Sequence, residues 1–238
     1  MPKRPLRWWI ARGFLAATGW KPEGPGPEPD RYVLIAAPHT TNWDFPYLLA
    51  FATVFGLEIS WMGKSSLFRP PLGWLMRALG GIPIARHRRG NLVAAMKTAF
   101  DERERLALVV PAEGTRGYVE YWKSGFYHIA RSAGVPIVPS YLDYARKRGG
   151  FGEAFQPSGD VVRDMDRLRA FYEGRQGRYP ELFGRVRLRE EDEIPAEPTQ
   201  AAASVLAEIS SPSSPSSPSS PSSSVPVVAA RAVVHEDR

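Results

Sequence analysis

Residues 32–46 read YVLIAAPHTTNWDFP. The first six of them, residues 32–37, form an apolar run whose length and composition predict a buried strand. His39 follows that run after Pro38, and residues 40–42 are Thr, Thr and Asn, which favour the start of a helix. Residues 48–55 then supply an apolar helical face. The stretch therefore predicts a strand, a short connection and a helix, with a histidine where the strand ends.

The spacing of His39 and Asp44 suggests a chemical role for this connection. Asp44 falls in or near the first turn of the predicted helix, so its carboxylate can reach one ring nitrogen of His39. The other nitrogen would then be free to take a proton, which is the arrangement of a general base. A helix cap beside a solvated histidine has the same spacing, so the interpretation depends on what the rest of the chain supplies.

The remainder of the chain alternates between strand and helix patterns. Further strands are predicted at residues 57–62, 81–86, 106–110, 135–141 and 186–188, and further helices at 71–79, 91–105, 125–133 and 162–172. This alternation predicts an α/β fold: a single domain with a mostly parallel or mixed sheet flanked by helices. Ligands of such sheets bind at the carboxyl ends of the strands, where His39, Arg86 and residues 113–116 would project.

Composition excludes several classes of site. The chain has 238 residues, of which 43% are hydrophobic, enough for a substantial core. It has no Cys, which rules out disulfides, thiolate metal sites and Cys nucleophiles, and its four scattered His do not suggest a metal site. No apolar run reaches the 18 or so residues of a spanning helix. The net charge of +6 favours an anionic partner, which charge alone does not identify.

The two ends of the chain differ from the middle. Residues 1–30 comprise a basic amphipathic segment with three Trp and a Pro-rich linker, a pattern typical of a segment in a bilayer interface. A terminal helix that packs its Trp side chains on the domain is the alternative. Residues 31–209 are expected to form the main domain. Residues 210–238 begin with Pro at every third position and predict a disordered tail rich in Pro and Ser.

Four ordered blocks carry a family resemblance: HTTNWD at 39–44, GIPIAR at 81–86, EGTR at 113–116 and VPIVP at 135–139. They resemble the four successive blocks of the glycerolipid acyltransferases, a group that includes the lysophosphatidic acid acyltransferases. The resemblance covers roughly residues 33–141. Gly117 departs from the pattern, since Ser is usual there, and so does Pro83 in the second block.

The resemblance implies transfer of a fatty acyl group from a thioester of coenzyme A or acyl carrier protein to a hydroxyl of a lysophospholipid or glycerol-phosphate acceptor. His39 would be the base and Asp44 would orient it, without an acyl-enzyme. The expected substrate-binding residues are Arg86, Lys64, Glu113, Gly114, Thr115 and Arg116. The arginines suit a phosphate because guanidinium groups bind its oxygens bidentately. No metal and no cofactor is expected, the thioester being a substrate.

Other functions remain open at this point. A thioesterase or other hydrolase would use the same dyad on water, and a non-catalytic membrane-binding module would use only the basic, Trp-bearing N-terminus. Nucleic acid is not an expected partner, because the basic residues are not interleaved with stacking aromatics in any recognised module. For the acyltransferase, we expect a peripheral position on the cytoplasmic side of a membrane, with a soluble cytoplasmic protein as the alternative.

Overall fold

A computed structural model describes residues 4–84 and 89–193 of the chain. The described part is α/β, with helices on both faces of a seven-stranded sheet. The strands are β1 (Lys21–Glu23), β2 (Arg31–Ala36), β3 (Ile59–Lys64), β4 (Gly81–Ile84), β5 (Leu106–Val110), β6 (Ile137–Asp143) and β7 (Arg148–Phe151). The α-helices are α1 (Leu6–Ala17), α2 (Asp44–Phe55), α3 (Gly73–Ala78), α4 (Arg89–Asp101), α5 (Gly125–Ala133), α6 (Val161–Tyr172) and α7 (Glu190–Glu193), with short 3₁₀ helices at Ser65–Phe68 and Pro180–Leu182.

The sheet is mixed, with the strand order β1-β7-β6-β2-β5-β3-β4. Neighbours pair in parallel except β6 and β7, which form an antiparallel hairpin. Strands β2 and β5 lie side by side near the middle, with Arg31 opposite Leu106 and Ile35 opposite Val110. Their carboxyl ends therefore meet at one edge of the sheet, as the α/β prediction requires.

Alternation along β2 divides the core between the two faces of the sheet. Val33 and Ile35 point into a cluster with side chains of α4, α5 and α6. Tyr32 and Leu34 point the other way, into a cluster that includes Ala52 of α2. Successive strand residues face opposite sides, so an entirely apolar strand is what a sheet covered on both faces needs. The expected fold class is confirmed.

The N-terminal segment is part of the fold. Helix α1 buries Ala11 and Leu15 in a cluster with side chains of α2. The predicted linker contains a strand, because Lys21–Glu23 pairs in parallel with β7 at the outer edge of the sheet. That strand was not predicted from the sequence, because four prolines lie among residues 22–29. Proline is nevertheless tolerated in an edge strand.

Two further elements differ from the sequence-based expectation. Strand β7 has the sequence RGGF, which carries no alternating pattern and was not predicted. Residues 186–188 form no extended strand, since only Leu188 pairs, in an isolated bridge with Trp122. Arg86 and the tail at 210–238 lie outside the described residues. Within the described ranges, no helix is both long and apolar enough to span a membrane.

Candidate active site

His39 and residues 113–116 lie in the connections that follow β2 and β5, so the pairing of these strands brings them together. The contact is direct, because the backbone amide of His39 donates a hydrogen bond to Glu113 Oε2 at 2.6 Å. Two blocks that are 74 residues apart in the chain thus form one site.

His39 and Asp44 form the expected pair, with Nδ1 of the imidazole 3.1 Å from Asp44 Oδ2. The amides of Thr40 and Thr41 also donate to Oδ2, at 3.0 and 3.1 Å. Because Oδ2 accepts from donors on every side, we assign the imidazole proton to Nδ1. Nε2 then carries the free lone pair. The imidazole is 22% exposed while the carboxylate is buried, so the base is open to a substrate and its partner is not.

The start of α2 differs in detail from the expected N-cap at residues 40–42. The helix begins at Asp44 itself, and the preceding Trp43 makes no side-chain cap. The capping acts in reverse, since the Asp44 carboxylate bonds the amides of the two threonines that precede the helix. A carboxylate in the first helical turn is also favoured by the helix dipole. One carboxylate therefore shapes the loop and orients the histidine.

Glu113 lies beneath the site rather than at its surface. It is 1% exposed, and no group of the described residues forms a hydrogen bond with its Oε1. Burial raises the pKa of Glu113 to about 7, against the lowering effect of the His39 amide. The Gly184 amide lowers this pKa further. The observed hydrogen bond of Glu113 is with the His39 backbone, so Glu113 supports the loop that carries the histidine.

The next three residues of the block at 113–116 are exposed, unlike Glu113, and line a pocket. Gly114, Thr115 and Arg116 border it together with His39 and Lys64, the last residue of β3. Gly114 has φ +69, and a Cβ there would lie 3.0 Å from Lys123 Cγ, so both the backbone and the space favour glycine. The pocket thus joins the histidine to two of the expected cationic side chains.

Most of the pocket lining is apolar. Its volume is about 710 Å³, within the range of roughly 300–1,000 Å³ of small-molecule sites. The apolar wall is formed by α2, β3 and their neighbours in the sheet: Phe45, Leu48, Phe51, Trp61, Met62, Leu67, Met76, Val109, Leu142 and Phe151. The cavity therefore has a cationic part, here called the mouth, with the exposed Lys64 and Arg116, and a larger apolar part, here called the interior.

Comparison with known proteins agrees with this geometry. The family model described as Acyltransferase matches residues 23–143, just over half of the chain. The chain belongs to the acyltransferase family. The resemblance drawn from the four blocks is thereby confirmed at the level of the family.

One relative of this acyltransferase and one solved structure illustrate the range of the match. One is an uncharacterised acyltransferase of Schizosaccharomyces pombe, 31% identical over 129 residues, a match that covers 51% of this chain and 44% of that protein. The chain thus spans less than half the length of that relative. The other is the solved structure of PlsC from Thermotoga maritima, a 1-acyl-sn-glycerophosphate (LPA) acyltransferase. It has a TM-score of 0.49 and 21% identity, over 70% of this chain and 73% of that one.

Sequence reasoning about the acyltransferase missed contacts that come from beyond the matched region. The hydroxyl of Tyr144 donates to Asp44 Oδ1 at 2.7 Å. The backbone amide of Tyr179 donates to Thr40 Oγ1 at 3.3 Å, and a Cβ on Gly177 would lie 2.8 Å from the same oxygen. No local pattern marks these residues, because their role depends on tertiary contacts alone.

Proposed function

We propose that this acyltransferase moves a fatty acyl group from a coenzyme A or acyl carrier protein thioester to a hydroxyl of a lysophospholipid or glycerol-phosphate acceptor. The observation that carries the proposal is the His39–Asp44 pair in one pocket with cationic side chains and a large apolar lining. The pair suits deprotonation of an alcohol, the mouth suits a phosphate and the interior suits an acyl chain.

The chemistry needs a base because an alcohol with a pKa far above 7 is a poor nucleophile. Nε2 of His39 takes the hydroxyl proton as the oxygen attacks the thioester carbonyl carbon. The tetrahedral intermediate then collapses, the C–S bond breaks, and the imidazolium returns the proton to the leaving thiolate. Such proton transfer contributes about 10²- to 10⁴-fold to the rate. The products are an ester and a thiol, and no acyl-enzyme is needed.

The apolar interior supplies a binding site for the acyl chain. At about 0.8 kcal/mol per buried methylene, a fourteen-methylene chain carries on the order of 11 kcal/mol of transfer free energy. Phe45, Leu48 and Phe51 present one side of α2 to this space. An acyl chain lying along α2 would bring its carbonyl end toward His39, which lies in the connection to that helix.

The polar mouth supplies a binding site for the acceptor. Arg116 and Lys64 both line it, and a guanidinium group beside an ammonium group favours a phosphate over a neutral head group. Glu113 is buried under the loop, so we assign it to the support of His39 instead of to the acceptor.

Membrane association is part of the proposal and rests on exposed apolar side chains. Helix α1 exposes Leu6, Trp9 and Ile10 at 75%, 60% and 64%. Three basic residues of the same segment, Arg4, Arg7 and Arg12, are also exposed. A second exposed set, Leu67, Leu72 and Trp74, adjoins the pocket, since Leu67 also lines it. These features suit a peripheral position on the anionic cytoplasmic face of a membrane.

The test is acyl transfer by the purified protein in mixed micelles. Labelled acyl-coenzyme A or acyl carrier protein thioester is offered with lysolipids that carry or lack a phosphate, and wild type is compared with His39→Ala and Asp44→Asn. We expect labelled phospholipid from wild type and a loss of at least about 10²-fold in both variants.

The products separate the alternatives. Free fatty acid in place of acylated lipid, formed in proportion to the enzyme, would make the protein a hydrolase. Normal turnover by His39→Ala would refute the proposed base. No product from either donor, with vesicle binding intact, would favour the non-catalytic membrane module.

A further inference from the structure

Tyr144 lies in the connection between β6 and β7, one residue beyond the region matched by the family model. Its hydroxyl donates a 2.7 Å hydrogen bond to Asp44 Oδ1. The other carboxylate oxygen, Oδ2, serves the amides of Thr40 and Thr41 and the imidazole of His39. Tyr144 is therefore the side chain that holds the second oxygen of the proposed catalytic carboxylate.

Tyr144 is held in place by contacts of its backbone and of its ring. Its backbone amide donates to Gln176 O at 2.9 Å. Trp20 packs edge-on against it at 4.9 Å between ring centroids, and Tyr47 of α2 does so at 6.0 Å. Burial, followed by the hydrogen bond to Asp44, raises the pKa of Tyr144, so the phenol stays protonated and remains a donor. A donor fixed in this way constrains rotation of the carboxylate it binds.

The consequence for His39 is geometric. A carboxylate anchored only through Oδ2 can rotate about its Cβ–Cγ bond and can exchange its two oxygens. With Oδ1 tied to Tyr144, Oδ2 stays directed at Nδ1 of His39. The imidazole is thereby kept in the tautomer that has its proton on Nδ1 and its lone pair on Nε2.

We propose that Tyr144 is a positioning residue for acyl transfer, which fixes the Asp44 carboxylate and through it the orientation and tautomer of His39. The inference rests on the function proposed above. Other charged groups reach this cluster from neighbouring elements: Glu113 acts on His39 and Asp44 from the β5 connection, and Arg178 acts on Tyr144. Neither makes a hydrogen bond to Asp44, so Tyr144→Phe removes one defined interaction.

The matched control is Tyr127→Phe. Tyr127 also donates its hydroxyl to a buried carboxylate, Asp164 Oδ2, at 2.9 Å. That pair packs among α5 and α6, on the other side of the sheet from α2. Both variants lose one phenol-to-carboxylate hydrogen bond, but only Tyr144→Phe loses it at the proposed site.

Two measurements test the proposal on the full chain. In the transfer assay, we expect Tyr144→Phe to lower kcat about tenfold, the effect of one hydrogen bond to a charged group, with KM unchanged within about twofold. In ¹⁵N NMR of the histidine rings, assigned with His39→Gln, we expect wild type to show Nδ1–H and Tyr144→Phe to show a mixture of tautomers. Tyr127→Phe should match wild type in both, while it lowers thermal stability.

The outcomes distinguish the two proposals. Wild-type kcat and an unchanged His39 spectrum in folded Tyr144→Phe would overturn the positioning role. A change of tautomer in a protein whose wild type transfers no acyl group would uphold the positioning role and refute the proposed function. If Tyr144→Phe unfolds more readily than Tyr127→Phe, the spectra recorded below its transition still decide the matter.

Discussion

Asp44 serves the fold and the proposed chemistry with the same carboxylate. It is the first residue of α2, it bonds two backbone amides of the preceding loop, and it contacts Nδ1 of His39. The sequence predicted the pairing with His39 because the two residues are close in the chain and the intervening residues favour a turn into a helix. It did not predict Tyr144, which reaches the same carboxylate from 100 residues away. Partners distant in the chain leave no local pattern.

Glu113 leads to a prediction about stability and pH. Its pKa in the folded protein is raised from 4.5 to about 7 by burial, so between these values the folded state binds more protons than the unfolded state. The free energy of unfolding should therefore fall as pH rises from about 4.5 to about 7, by roughly 3 kcal/mol from this residue. Urea denaturation of wild type and Glu113→Gln at several pH values measures the difference.

The control for that experiment is Glu153→Gln, which removes an exposed carboxylate. The pH-dependent difference from wild type should be present for Glu113→Gln and absent for Glu153→Gln. Parallel curves for wild type and Glu113→Gln over this range would show that the buried carboxyl does not carry the excess proton.

Arg116 leads to a prediction about acceptor choice. Because its guanidinium lines the mouth of the pocket, Arg116→Ala should raise KM for phosphate-bearing acceptors about tenfold or more, the effect of losing a charge-assisted contact. Acceptors without phosphate should change little. Arg105→Ala removes the same charge at the opposite end of β5, where Arg105 pairs with Asp30, and should leave both acceptors unaffected. Equal losses for both acceptor types in Arg116→Ala would contradict the assignment.

At the level of elements, continuous apolar patterns were predictable, and the first and last strands of the chain, β1 and β7, were not. Strand β5 and helix α5 have the predicted bounds, because each is a continuous apolar or amphipathic segment ended by Gly, Pro or a charged residue. Strands β1 and β7 were missed, since one contains proline and the other two glycines, and both form through pairing with strands that are distant in the chain or apolar: β1 pairs with β7, and β7 also pairs with β6. Tertiary pairing overrides weak local propensity at such positions.

Helix α1 supports a prediction about lipid binding. One face packs on α2, whereas Leu6, Trp9 and Ile10 are exposed beside basic residues. Replacing these three by Ser should reduce binding to vesicles of phosphatidylcholine and phosphatidylserine about tenfold or more, because apolar area is no longer buried in the interface. Cosedimentation of the protein with the vesicles measures this binding. Val162→Ser on α6 is the control, and unchanged binding by the triple variant would exclude α1 as the lipid contact.

For the whole molecule, Trp20 connects parts of the chain that are far apart in sequence. It is 3% exposed and packs against Tyr47 and Phe51 of α2 and against Tyr144. Trp20→Ala should lower the free energy of unfolding by about 3–5 kcal/mol, the usual effect of deleting a buried aromatic side chain. Trp9→Ala, at a 60% exposed position, should change it little without lipid. Urea denaturation of the lipid-free protein measures both free energies of unfolding. Equal values for the two variants would refute the role of Trp20.

The order of the strands places the proposed site at the centre of the described sheet. His39 and Arg116 follow β2 and β5 in the middle of the described sheet, and β1 and β4 are its outermost strands. Descendants of one ancestral sheet can therefore gain segments at either rim without displacing the two connections that carry the proposed site.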